Sequence, residues 1–242
     1  MSDFTYNGKS NDELGIKVIN IRMSLFGGMK HELVDLPGVD EPYLFPQKPR
    51  KREISIDCVL SQNSNSELET KTQEIVECLA QNIWKKLELH TKAGKHFKAI
   101  VIDPVDEEHI ATNKLFTINF VALPYAYGTE QTINFANDAA TVANAGTYSA
   151  PAIIEATFTG AATEFKVTLG TEYIRVVHGF ALNDTLKIDT GTGAVLINGT
   201  RAMDKLDWQN SIFFELAKGD NTLNITPTGK CTATVKHTPR WL

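Results

Sequence analysis

The chain has 242 residues, enough to bury a proper core as one large domain or as two of ordinary size. Its 42% hydrophobic and 22% charged residues exclude a disordered segment. The net charge is −5, with 15 basic against 19 acidic residues in positions 1–130 and 9 against 10 in 131–242, so neither half has the basic footprint of a nucleic-acid or anionic-membrane binder.

Three widely spaced cysteines (Cys58, Cys78, Cys231) read as free thiols of a reducing compartment. The N-terminal residues hold no apolar stretch followed by a cleavage site, and no window holds 18 apolar residues. The expectation is a soluble chain made in the cytoplasm, in which the sequons at Asn183, Asn198 and Asn224 carry no glycan.

Phe4-Thr5-Tyr6 before Asn7-Gly8 reads as a short strand entering a tight turn, and residues Ile16–Phe26 as a second strand rich in β-branched side chains. From Gly27 to Arg50 there is neither helical nor alternating period, and Pro42, Pro46 and Pro49 are among the prolines that interrupt the segment. Structureless connections of this length are usually functional or disordered. This one carries Met29, Leu33, Val34, Leu36, Tyr43, Leu44 and Phe45, so it reads as an extended arm that packs on something, such as another subunit.

Residues Arg52–Leu60 alternate Ile54, Ile56 and Cys58 with Glu53, Ser55 and Asp57, the pattern of a half-buried strand. Ser64-Asn-Ser-Glu67 is a capping box opening a helix over Asn65–Leu87, with a stripe of Leu68, Ile75, Val76, Leu79, Ala80, Ile83, Trp84 and Leu87 and with Lys85 and Lys86 in its last turn. Leu87–Thr91 and Phe97–Ile102 read as a hairpin, and Leu115–Leu123 as a strand ending at Pro124.

Composition then shifts to Ala, Asn, Thr and Gly, which places a domain boundary near residue 131, with Ile133–Phe135 a candidate first strand. Strands are expected at Ala152–Phe158, Phe165–Leu169, Glu172–Val177, Thr185–Asp189, Ala194–Ile197, Ser211–Leu216, Asn221–Ile225 and Cys231–His237. Turn signals separate them at the spacing of an all-β sandwich, here of jelly-roll type.

Candidate chemistry is sparse. Asp189-Thr190-Gly191 has the form of an aspartic-protease carboxylate, but no second copy exists to share its proton, and a hairpin turn explains it as well. Asp103, Asp106, Glu107, Glu108 and His109 could hold a hard metal, yet lack the glycine and spacing of a calcium loop and read equally as a solvated loop. Lys48, Arg50, Lys51 and Arg52 form a basic cluster that fits a phosphate, an acidic neighbour or a protected sheet edge. Among the aromatics of the second half (Tyr173, Trp208, Trp241), Trp208 follows a polar stretch and is the best candidate to stack on a sugar, the alternative being a half-buried core ring. No cofactor-binding, metal or catalytic set is assigned.

The order of these pieces resembles the distal tail proteins of long-tailed siphophages, the Dit family, in their short form. The resemblance is carried by Phe4–Gly8, the turn Leu36-Pro37-Gly38-Val39-Asp40 to Tyr43, and Pro49-Arg50 before the Ile54/Ile56 strand. The linker Asn144–Pro151, Leu186–Asp189, Val195–Gly199 and Lys218–Asn221 to Trp241 complete it, nearly over the whole chain.

The resemblance implies a mainly β protein: an N-terminal β-sandwich-like, ring-forming domain at 1–130, with an arm at about 27–50 and a helix at about 65–87, and a galectin-like, jelly-roll β-sandwich at 131–242. It implies a homo-hexameric ring at the distal end of a virion tail, synthesised and assembled in the bacterial cytoplasm. The tail tube protein would dock on one side, a tail-associated tip or fibre protein on the other, and baseplate or receptor-binding proteins at the rim. DNA would only pass through the lumen, and no membrane would be engaged. Met29, Leu33, Leu36, Tyr43, Leu44 and Phe45 would then form the subunit contact. A carbohydrate-binding module for host attachment is the alternative.

Overall fold

Ile54, Ile56, Cys58 and Leu60 are buried in the computed structural model while the residues between them are not, so the alternation read in the sequence sets one face of a strand against a core. The structure describes every residue except Met1, Phe26, Lys30, His31, Val39, 46–48 and 103–104. The chain divides into two compact units, residues 1–127 with Leu242 and residues 128–241.

The first unit contains β1 (Phe4–Tyr6), β2 (Lys9–Ser10), β3 (Ile16–Met23), β4 (Glu32–Val34), β5 (Tyr43–Phe45), β6 (Arg52–Ser61), α1 (Asn65–Leu79), β7 (Lys85–Leu89), β8 (His96–Val101), β9 (Glu107–Ile110) and β10 (Asn113–Tyr127). Seven of these strands form an antiparallel sheet in the order β2-β1-β7-β8-β10-β6-β3, with β9 alongside the start of β10. Helix α1 lies on the buried face, where the Cys78 thiol donates to the Tyr6 carbonyl at 3.5 Å and the Tyr6 ring meets Phe120 at 4.9 Å. The hairpin β4–β5 forms a separate two-stranded sheet.

The second unit contains β11 (Gln131–Asn134), β12 (Ala139–Asn144), β13 (Ala152–Phe158), β14 (Ala162–Leu169), β15 (Glu172–Phe180), β16 (Thr185–Asp189), β17 (Ala194–Ile197), β18 (Thr200–Arg201), β19 (Gly219–Thr226) and β20 (Cys231–His237). They make two antiparallel sheets, β11-β20-β13-β16-β17-β18 and β12-β19-β14-β15. One apolar cluster packs between them, with Phe158 stacked on Phe180 at 3.9 Å and edge-on to Phe165 at 6.2 Å. The mainly β fold with a C-terminal sandwich, and with one α-helix among the described residues, is as expected from the sequence.

Several boundaries differ. The helix begins as expected, with Ser64 Oγ accepting the Glu67 amide at 3.3 Å, but it ends at Leu79 and not at Leu87. Gln81 Nε2 donates to the Glu77 and Cys78 carbonyls at 3.1 and 3.3 Å and so closes the C-terminus. Lys85 and Lys86 therefore open β7 and do not cap a helix, and Val76, Ile83 and Trp84 lie at the surface.

Strand β10 runs through Pro124 to Tyr127; its pairing with β8 shifts register between Ala122 and Ala126, which accommodates the missing amide hydrogen. Ser211–Leu216 forms no strand; the Ile212 amide donates to the Tyr173 carbonyl of β15 at 2.9 Å, Ser211 Oγ accepts the Arg175 amide at 3.0 Å, and Leu216 bridges to Ala150. The unexpected β12 pairs with β19 from an Ala- and Thr-rich segment. The expected end of the second strand, Phe26, lies outside the described residues.

Candidate functional site

The arm is not structureless. At its root the Gly28 carbonyl accepts the Arg50 amide at 3.0 Å, and Met29 and Pro49 form an antiparallel bridge. Gly27 makes this approach possible, since a Cβ there would stand 2.3 Å from the Arg50 carbonyl oxygen and 2.9 Å from that of Lys51. Beyond the root, β4 and β5 pair Leu33 with Leu44 and Val34 with Tyr43.

Period-two geometry sets Leu33 and Leu44 together on one face of the hairpin, with Tyr43 and Phe45 on the other. The Tyr43 and Phe45 rings meet edge-on at 4.8 Å. Leu33 is 62% exposed, Tyr43 56%, Leu44 52%, Leu36 48% and Phe45 45%, so large apolar side chains face solvent on both faces of the hairpin. Met29 is half-buried at the root, apart from this set.

The other candidates resolve into structural roles. Asp189 Oδ1 accepts the amides of Gly191 and Thr192 at 2.9 and 3.2 Å, and Thr190 Oγ1 accepts the Ala152 amide at 2.8 Å. This is a side-chain-stabilised hairpin turn between β16 and β17. Glu107 is ion-paired at 3.0 Å with Lys114, which is buried and also meets Glu69 at 3.3 Å. Asp103 lies outside the described residues, and among those described no three His, Cys, Asp or Glu side chains converge on a metal position.

Of the basic cluster, Lys48 lies outside the described residues, while Arg52 turns inward, its guanidinium 5.4 Å from the Phe97 ring centre and Nη2 donating to the Pro124 carbonyl at 3.3 Å. Burial lowers the Arg52 pKa from its ordinary value. Burial also pushes the thiols of Cys58 and Cys231 up, to about 12 and about 11, so neither is an activated nucleophile.

Trp208 is 63% exposed, and its indole nitrogen donates to the Met203 carbonyl at 2.9 Å, which fixes the ring. The preceding Asp207 accepts from Arg175 at 3.5 Å, and Arg175 is held in turn by Glu164. A cavity of about 710 Å³ lies between α1 and the sheet, lined by Ile75, Val76, Leu79, Val101 and Phe116, with Glu107 the one charged wall residue among those described. That lining offers an apolar recess and no acid–base pair.

One surface had been hidden by the overlong helix. Residues 85–98, spanning β7 and β8, hold five lysines and one glutamate. Lys86, Glu88, His96 and Lys98 occupy the face opposite the buried Leu87, Leu89, Phe97 and Ala99. Lys98 Nζ stands 4.8 Å over the Tyr127 ring, and His96, stacked on Tyr127 at 5.8 Å, has its pKa lowered by burial first and by Lys86 second. The lysine density alone was signal enough to find this patch.

Comparison with known proteins follows the same outline. Residues 145–241 match the family model described as siphovirus-type tail component, C-terminal domain. Among solved structures, the Dit protein of phage SPP1, described as a paradigm of the hub adsorption apparatus in phages infecting Gram-positive bacteria, is similar over 100% of both chains, with a TM-score of 0.82 and 18% identity. A chain of the phage P2 baseplate in its activated conformation with calcium matches 92% of this chain over 90% of its own, with a TM-score of 0.52 and 10% identity. The strontium form of the same baseplate gives a TM-score of 0.51 at 10% identity. No curated protein sequence matches the chain. Residues 145–241 are thus similar to the siphovirus-type tail-component domain, and the chain as a whole has the fold of the SPP1 Dit protein.

Proposed function

We propose that this protein is a structural component of a siphovirus tail tip. In this reading six copies close a ring that joins the tail tube to the tip and baseplate proteins, with DNA only passing through the lumen. Residues 1–130 build the ring, and residues 131–242 form the attached sandwich. The observation that carries the reading is the likeness to a hub protein over the full length of both chains, joined to the tail-component match in the second half.

The arm supplies the physics of assembly. A head-to-tail contact closes into a ring when its rotation is a simple fraction of a turn. Burial of exposed apolar surface contributes about 25 cal/mol per Å². Leu33, Leu36, Tyr43, Leu44 and Phe45 present such surface on an element that leaves the sheet of its own unit. Met29 at the root positions the hairpin. Light scattering on the purified chain tests the reading: a mass six times that of the 26.8 kDa chain supports it, and a monomer in the presence of its tube and tip partners overturns it.

The exposed, fixed ring of Trp208 favours a second reading, a carbohydrate-binding module for host attachment. Binding on an array of cell-wall glycans that is lost in Trp208→Ala supports it; an array without binding removes it.

A further inference from the structure

The hairpin and the lysine-rich patch carry opposite charge. Residues 32–45 contain Glu32, Asp35, Asp40 and Glu41 and no basic residue, for a formal charge of −4. Asp35, Asp40 and Glu41 are exposed. Residues 85–98 carry +4, from five lysines against Glu88. Lys86, Lys92 and Lys98 are exposed, and the apolar Ile83 and Trp84, 60% and 40% exposed, stand directly before this segment. One surface is apolar and acidic, the other apolar and basic.

We infer that the β4–β5 hairpin of one copy docks on the β7–β8 face of the neighbouring copy, its acidic tip against Lys86, Lys92 and Lys98. This rests on the reading of the arm as a subunit contact and names the surface that receives it. Pro37 in the turn lies eight positions beyond Met29 at the root, a reach of at most about 28 Å. That is enough to cross a subunit boundary.

The receiving face is receptive. The Lys86–Glu88 pair, 2.8 Å apart, has side chains 55% and 47% exposed, and pairs of this kind contribute little, so Lys86 exchanges partners at small cost. At the turn, a recess of about 270 Å³ is lined by Ser2, Thr5, His90, Lys92 and Lys95 together with Glu88, so two lysines stand there against one carboxylate. The cavity beneath α1 is the wrong receiver. It shares Glu107 and Phe116 with a second recess lined by Asp57, Asp106 and Glu108, which would repel an acidic tip.

Zero-length carbodiimide coupling of the full chain tests the inference, with light and heavy-isotope copies mixed so that only contacts between copies are scored. The expected result is amide links joining Asp35, Asp40 or Glu41 of one copy to Lys86, Lys92 or Lys98 of another. K86E/K92E/K98E weakens self-association at least about a hundredfold, as does D35K/D40K/E41K, and combining the two sets restores it to within about tenfold. Thermal melting confirms that each variant is folded. If the lysine reversal leaves association unchanged while L33S/L44S/F45S abolishes it, the receiving surface is elsewhere and the docking inference falls, with the arm still a subunit contact. If L33S/L44S/F45S also keeps the wild-type mass, the arm reading itself falls.

Discussion

Two hairpins of this chain are built from similar residues and end in opposite environments. β16–β17 pairs Leu186 with Ile197 and Ile188 with Val195, and all four side chains are at most 8% exposed inside the sandwich. β4–β5 pairs Leu33 with Leu44 and Val34 with Tyr43, and each of those is at least 36% exposed. A lone two-stranded hairpin is marginally stable in water. The apolar side chains of the first hairpin hold a domain together, whereas those of the second are available to something outside the chain.

Substitutions separate the two cases, beginning where the effect is greatest. Ile188→Ala removes a fully buried side chain and is expected to cost about 3 kcal/mol of unfolding free energy, measured by denaturant titration, with the assembled mass of the folded fraction unchanged. Asp189→Ala removes the acceptor of two turn amides at the end of the same hairpin and is expected to cost about 1 kcal/mol. The assembled mass of the folded fraction is expected to be unchanged, because the carboxylate shapes a turn.

A pH series reports on groups that neither hairpin contains. Burial lowers the pKa of both His96 and His237 from the ordinary value, so the unfolded chain takes up protons at a pH where the folded chain does not. Stability is therefore expected to be full above about pH 6.5 and to fall as the pH drops through the lowered values. His96→Gln and His237→Gln together flatten that slope in thermal melts recorded from pH 7.5 to 5. Leu44→Ser in the exposed hairpin has the smallest expected effect on unfolding, within about 0.5 kcal/mol, while it weakens self-association.

The sequence made the sandwich legible because its strands are short, alternating and cut by turn residues. Ala152–Phe158, Thr185–Asp189, Ala194–Ile197 and Cys231–His237 appear with the expected ends. The helix was overextended because Ile83, Trp84 and Leu87 continue its period, and the side chain that stops it, Gln81, carries no obvious stop signal. Strand β12 was missed because Ala139, Ala140 and Ala143 give almost no hydrophobic alternation.

At the candidate site the apolar content of the arm was plain, but its pairing was not. A three-residue ladder between prolines is set by contacts at the root, where Gly27 and Gly28 meet Arg50. The lysine patch went unseen for a related reason. Assigning Lys85 and Lys86 to a helix end separated them from Lys92, Lys95 and Lys98, which the strands bring together.

The most direct test is the solution mass of the full chain beside that of L33S/L44S/F45S, by light scattering at matched high concentration. The account predicts a ring of six 26.8 kDa chains for the wild type and a folded monomer for the variant. A wild-type monomer, or a variant that assembles as the wild type does, would contradict it.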